Sequence, residues 1–422
     1  MREVLLHHIW QFQVFNTKTL FTEQGELLRV MHPGHYLKQT GPDFFLAKLF
    51  IGEQEWAGNV EIHIKASDWY AHGHENDRNY DNVVLHVVWE SDIPVLRKDG
   101  SLMAVLVLKD YVDESLLDRY NQLFEKRKWI YCEDQIPEIP PLKILNWKER
   151  LYVERLETKS EGILALLSQC SNDWRQLFFI CLARGFGLNV NGEAFEKMAK
   201  QLSVKVLEKQ ADNLKALEAI LLGSAGLLQR EVEDVYGISL QKEWGYFKAL
   251  YDLEELETSY VQFYKLRPDN FPTIRLSQLA ALYHQQKDIL KDVLEAKTLD
   301  DFYELFTVVA SSFWDTHYVF DKENSRVKKK TSKRFIDLLL LNVVVPFLYV
   351  YYKHKDRDFS EELFTIVRGL KPEQNTIITN FEKLGFTVED ALDSQAMLHL
   401  KKNYCNNQAC LNCLIGRAIV YN

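Results

Sequence analysis

The stretch GPDFFLAKLFIGEQEWAGNVEIHIK, residues 41–65, decides how this chain is read. Within it, Phe44–Ile51 and Glu55–Lys65 are two apolar-rich segments separated by a glycine-containing turn, the pattern of two strands. Asp43 opens the first strand. Glu61, His63 and Lys65 fall at alternate positions of the second, and pleating sends alternate side chains to one face. A carboxylate from each strand, with an imidazole and an ammonium nearby, is a donor set for a hard divalent cation. Mg2+ or Mn2+ held in this way polarises a phosphodiester and generates hydroxide from bound water. Asp43 and Glu61 are therefore the candidate metal ligands.

Working outward, apolar residues recur at helical spacing from Glu3 to Phe15, and strands are predicted at Leu27–Met31, Val83–Trp89 and Ala104–Leu108. Between Lys65 and Val83 lies SDWYAHGHENDRNYDN, polar and aromatic, suited to a short helix or an ordered loop. The order is helix, three strands, helix or loop, then strands. Eight of the twelve histidines (His7, His8, His32, His35, His63, His72, His74, His86) lie in the first 86 residues, far more than even placement gives. His72 and His74 are candidates for phosphate contact, metal ligation or proton transfer, with Asp77 assisting, whereas His86 in VVLHVVW reads as a satisfied strand histidine.

Pro42-Asp43 followed by Glu61-Ile62-His63 resembles the PD-(D/E)xK motif of restriction-endonuclease-like folds, and the element order agrees with that core. The resemblance implies an N-terminal mixed-sheet nuclease-like domain at 1–125; with a linker at 126–145 and a mostly α-helical region at 146–422, ending in a cysteine cluster, read from the residues beyond it, the chain is expected to be α+β. The resemblance also implies a metal-dependent nuclease acting on DNA or RNA. The lysine that positions the attacking water in that motif is replaced here by His63, with Lys65 two residues further along, so His63 or Lys65 is expected to orient water. From LHHIWQF through GPDFFLAK, GNVEIH, SDWYAHGH and YDNVVLHVV to the final cysteine run, the chain also resembles an uncharacterised bacterial family, domain of unknown function 2851.

At 422 residues, 47% hydrophobic and 26% charged, the chain suits two folded domains. A net charge of −9 excludes a protein that coats nucleic acid without specificity, since that needs clustered Lys and Arg overall. The N-terminus lacks a secretion pattern and cysteines are few, so a cytoplasmic protein with reduced thiols is expected. Pro137, Pro140 and Pro141 mark the linker. Helices are predicted beyond it, including Trp147–Ser168, Asp173–Phe186, Gly192–Gln201, Val204–Leu221 and Leu276–Ala296, with no fixed repeat. The apolar run Phe335–Tyr352 has the length of a membrane span, but Asp337, Asn342 and Pro346 favour a buried helix, and no membrane partner is expected.

Cys405, Cys410 and Cys413 stand at C-x4-C-x2-C spacing, with Cys132 a fourth potential ligand. Four thiolates suit Zn2+ or an iron–sulfur cluster; free thiols are the alternative. The set resembles that of recombination-helicase and CRISPR-adaptation nucleases, where one early and three late cysteines hold a 4Fe-4S cluster. In those families the lone cysteine precedes the nuclease motifs, whereas Cys132 follows them. Cys170 and Cys181 read as core.

Two basic segments complete the inventory. SRVKKKTSKR, residues 325–334, contains Lys328, Lys329 and Lys330, and RPDNFPTIR, residues 267–275, contains Arg267 and Arg275. Either could contact a nucleic-acid backbone or serve as a solvated loop and a structural corner. No phosphate-loop, dinucleotide or nucleophile-elbow signature is present, so no nucleotide cofactor is expected. The sequence thus predicts a divalent-metal-dependent nuclease-like protein. The alternative is a catalytically inactive nucleic-acid-binding or scaffold protein on the same fold.

Overall fold

The computed structural model describes all residues except 1–2, 37–40, 125–127, 137, 258–259 and 422. The chain divides into two units, residues 1–144 with 400–422, and residues 145–399. Pro137, one of the prolines read as a linker, lies outside the described residues.

The first unit is built around residues 41–65. Helix α1 (Glu3–Gln11) precedes strands β1 (Leu20–Phe21), β2 (Leu27–His32), β3 (His35–Tyr36), β4 (Phe44–Ile51) and β5 (Gln54–Lys65). Strands β6 (Val83–Glu90) and β7 (Val105–Val107) complete a sheet of order β1-β2-β4-β5-β6-β7, with β3 beside β4. β2, β4 and β5 run antiparallel, whereas β5, β6 and β7 are parallel. Parallel neighbours need a crossover, and residues 66–82 supply it through the short helix α2 (Asp68–Ala71) and two 3-10 turns. The central strands are covered on both faces, so Gly58–His63 and Val83–Val88 are buried throughout. Gly58 permits the tight β5–β6 approach: a Cβ there would stand 2.4 Å from Val84 Cγ1 and 2.7 Å from the Asn82 carbonyl.

One face of the sheet carries Val60, Ile62, Leu85, Val87 and Leu106 into a core with Leu5, Leu6, Ile9 and Trp10 of α1. Leu411 and Val420 join the same core, so the chain's last segment packs in the first unit rather than with the helices that precede it. Full burial of such side chains contributes roughly 1.5–3 kcal/mol each. The opposite face presents Glu61, His63 and His86 beside a smaller cluster around Trp69, Val88 and Met103.

The second unit is helical, apart from the two-stranded ribbon His317–Val319 with Lys322–Glu323. Its first helix, Pro141–Gln169, starts inside the run read as linker, with Pro141 in the first turn where its missing N–H is no loss. The segments Asp173–Phe186 and Gly192–Gln201 form one helical run, Trp174–Gln201, kinked at Leu188 with φ +54°. The predicted helix Val204–Leu221 is two, Val204–Lys209 and Leu214–Ser224, because the Asn213 side chain caps the second by accepting from the Ala216 amide. The apolar run lies in Lys333–His354, where Leu340–Val344 forms a π turn ahead of Pro346. That helix is long and apolar enough to cross a membrane, yet 72% of its most apolar window is buried inside the protein.

Candidate metal centre

The polar face of β5 and β6 gathers side chains from five places in the sequence. Asp43, just before β4, and Glu61 on β5 are tied together through backbone. The Asp43 amide donates to Glu61 Oε2 at 3.0 Å, and the Ile62 amide donates to Asp43 Oδ2 at 3.1 Å. Glu61 Oε1 then faces His74 Nε2 at 3.3 Å and His63 Nε2 at 3.5 Å. His63 Nε2 also lies 3.1 Å from His72 Nδ1. On its other side, His63 Nδ1 meets His86 Nε2 at 2.8 Å. His74 stacks on Tyr80 with ring centroids 3.8 Å apart and meets Trp69 edge-on, which fixes the crossover segment over the sheet.

Burial sets the protonation of this group. It pulls His63 down to about 2, helped by the neighbouring His86, and pulls His86 down to about 3. Both rings are therefore neutral at neutral pH and offer lone pairs. Burial also pushes the Glu61 carboxyl above its usual range, opposed by His74.

The donor atoms of His63, His72 and His74 all lie within 4.8 Å of one another. Together with Glu61 Oε1 they are spaced at 3.1–3.5 Å along the measured pairs. Ligands about 2.0–2.1 Å from a four-coordinate metal stand about 3.3 Å apart, so the three imidazoles can share a single ion, with Glu61 Oε1 beside His63 and His74. His74 Nε2 is buried without an aligned hydrogen bond, as is His86 Nδ1 on the outer side. The orphaned His74 nitrogen, aimed at a carboxylate, fits a site completed by a cation. Three imidazoles beside a carboxylate favour a transition-metal ion over Mg2+, which prefers an all-oxygen shell.

The remaining candidates divide. Lys65 shares the pleat face of Glu61 and His63 but is exposed at the strand end, where its charge acts on Asp92 instead. Asp77 is exposed and caps a 3-10 turn by accepting from the Asn79 amide. His86 does more than fill the strand, since it braces His63. Two residues escaped the sequence reading: His7 Nε2 lies 3.1 Å from Asp43 Oδ2, and Glu3, one helical turn earlier, senses His7, Asp43 and His72 electrostatically while burial raises its pKa. Their i, i+4 spacing on α1 was the available signal.

The four cysteines also come together. Cys132 senses the thiols of Cys413 and Cys410, and Cys405 senses those of Cys413, Cys132 and Cys410. Burial pushes Cys132 up to about 12 and raises Cys405 in the same direction. Gly416 lies so close beneath this loop that a Cβ would stand 2.2 Å from the Cys410 carbonyl. Cys170 and Cys181 belong to the other unit. There, Arg267, Arg275, Lys328, Lys329 and Lys330 converge on one cavity.

The chain belongs to the family described as protein of unknown function (DUF2851), which matches residues 3–376. That stretch holds the whole carboxylate–histidine cluster and ends before Cys405, so the resemblance expected through the cysteine run is matched only up to residue 376. No curated protein and no solved structure matches the chain.

Proposed function

We propose that this protein is a divalent-metal-dependent nuclease-like phosphodiesterase acting on DNA or RNA, with the first unit a variant PD-(D/E)xK core. The observation that carries the reading is the convergence of Asp43, Glu61, His63, His72 and His74 on one polar face of a mixed sheet. Glu61, His63, His72 and His74 would hold the ion, with Mn2+ the preferred activator. When bound, such an ion polarises a phosphoryl oxygen and lowers the pKa of a coordinated water. His86 keeps His63 Nε2 facing the cluster by taking the Nδ1 proton in a hydrogen bond, the outer-shell role that fixes a metal-binding tautomer. Asp43, held by the Ile62 amide and paired with His7, is the group that accepts a proton from the attacking water. His72, the exposed member, stands on the solvent side where a substrate phosphate enters.

Cys132, Cys405, Cys410 and Cys413 would hold Zn2+ or an iron–sulfur cluster that fastens the C-terminal segment to the first unit. Protein purified without oxygen should show either iron with visible absorption or zinc near one equivalent, and serine at Cys410 should abolish it. Metal-free protein with four free thiols would refute this assignment.

The central test is incubation with single- and double-stranded DNA and RNA in Mg2+ or Mn2+. Wild-type protein should cleave at least one of them, and the Asp43→Ala, Glu61→Ala double variant should not. Cleavage retained in that variant refutes the site. The exposed position of Lys65, away from the cluster, favours a second reading, a nucleic-acid-binding protein without turnover. Absence of cleavage of all four substrates, with binding intact, would select it.

A further inference from the structure

The second unit contains a cavity of about 490 Å³ whose wall is dominated by cations. Arg267, Arg275, Lys328, Lys329, Lys330 and Arg334 line it, against a single carboxylate, Asp269. None of the six is within ion-pair distance of a carboxylate among the described residues, in a chain whose net charge is −9. Positive charge is therefore concentrated here and only partly balanced, by Asp269 acting on Arg275.

Two of the cations are buried: Arg275 is 6% exposed and Lys329 is 4% exposed. Arg275 is positioned with care. Its guanidinium lies 3.5 Å over the Phe335 ring, and its two terminal nitrogens donate to Gln278 Oε1 at 2.8 Å and Asn270 Oδ1 at 2.5 Å. Its Nε is buried with no partner. A charged group taken out of water is stable only when paired and hydrogen-bonded, and neutral amide oxygens supply part of that requirement. Burial accordingly brings Arg275 down to about 10. Lys329 lies 3.8 Å over the Tyr318 ring and donates to the Val327 carbonyl, again with neutral partners only.

The segments that supply these residues are fixed by backbone. Gln278 Nε2 donates to the Lys329 carbonyl and the Ala310 amide donates to the same oxygen, which pins the lysine run against helix Pro272–Gln285. The kinked Leu188 closes the wall in a backbone conformation that L residues rarely adopt. A solvated basic loop needs no such construction.

We infer that this cavity is a phosphomonoester-binding pocket for a ligand of mononucleotide size. A dianionic phosphate supplies the missing counter-charge, and Arg275 offers it a donor already oriented by Asn270, Gln278 and Phe335. The cavity is open to solvent on one side, and its volume of about 490 Å³ falls in the range of small-molecule sites. The same group is found on a free nucleotide and on the phosphorylated end of a strand.

Binding is measured by calorimetry in chelator, so that the result does not depend on the metal centre. The probes are adenosine 5′-monophosphate, adenosine, and a short single-stranded oligonucleotide with and without a 5′-phosphate. The monophosphate should bind and adenosine should not, and Lys328→Gln with Lys330→Gln, both exposed positions, should weaken binding about tenfold without changing the melting temperature. If the phosphorylated oligonucleotide binds and its hydroxyl form does not, strand ends are a source of the ligand; if neither binds, the pocket serves free nucleotides. Equal binding of both oligonucleotides with no binding of the monophosphate would overturn the proposal in favour of backbone tracking. Failure of the double variant to weaken monophosphate binding would overturn it as well.

Discussion

Two buried glutamates, one in each unit, are treated differently by their surroundings. Glu218 in the helical unit is fully buried, and Glu61 in the sheet unit is 5% exposed. Glu218 is closed by hydroxyls: Tyr236 donates to it at 2.6 Å, Ser311 at 3.0 Å, and Ser277 completes the set. Glu61 receives one amide proton from Asp43 and then turns its other oxygen to two imidazoles, one of them held neutral by burial. A hydroxyl always brings a proton to a carboxylate. A neutral imidazole nitrogen whose ring proton is on the far side brings a lone pair, which is repulsive until a cation stands between. The first arrangement is closed by its own donors, and the second is one that the proposed metal would complete.

The largest test of this contrast is in cleavage. Glu61→Ala should lower the rate at least about a hundredfold, the scale expected when charge stabilisation at a reacting centre is removed. Glu218→Ala should leave the rate per folded molecule unchanged. Stability should show the reverse. Glu218→Ala removes the acceptor shared by three hydroxyls and opens a cavity, at about 3 kcal/mol. Metal-free Glu61→Gln should stay within about 1 kcal/mol of wild type. Native-state hydrogen exchange separates the two, reading helix Pro272–Gln285 for one unit and β5–β6 for the other. A Glu218 variant as stable as wild type would erase the distinction.

Metal should sharpen it further. Mn2+ at a hundredfold over its dissociation constant should stabilise β5–β6 by about 2.7 kcal/mol, and His74→Ala should remove that gain. A smaller effect concerns pH in the metal-free protein. The folded pKa values of His63 and His86, about 2 and about 3, lie below the unfolded histidine value of about 6.5. The unfolded state therefore takes up protons first, and stability falls as pH drops below about 6.5, by at most about 1.4 kcal/mol per unit for each ring. The raised Glu61 pKa acts oppositely, giving stability at low pH that is lost as pH rises through its folded value, so the net slope is shallower. The opening free energy of β6, from exchange corrected for the intrinsic pH dependence of the amide rate, should be lower at pH 5 than at pH 7, and His86→Phe should flatten that difference. The smallest effect expected is at Lys65, where alanine should change cleavage less than about twofold.

Much of the sheet was legible because its periodicity is local. Phe44–Ile51 falls at its predicted limits, and β5 and β6 differ from theirs by one residue. Asp43 and Glu61 were legible as neighbours because adjacent strands carry them. Lys65 was misplaced by the same logic, since alternation gives the face of a residue but not where the cover over that face ends. His7 joins through α1 and Cys405–Cys413 through a return across the chain; their spacings are local signals, but which partners they meet is set by long-range contacts that periodicity does not give. In the helical unit, the break at 210–213 turns on one asparagine cap inside an otherwise helical composition.

The claim that the histidine–carboxylate cluster holds a metal is tested most directly by titrating Mn2+ into the chelator-treated protein and following the free-ion resonance. Wild-type protein should remove one equivalent of Mn2+ from the signal, the His63→Ala and His74→Ala variants should leave it in solution, and Lys65→Ala should behave as wild type. Equal depletion by wild type and both histidine variants, or none by any of them, would contradict the claim.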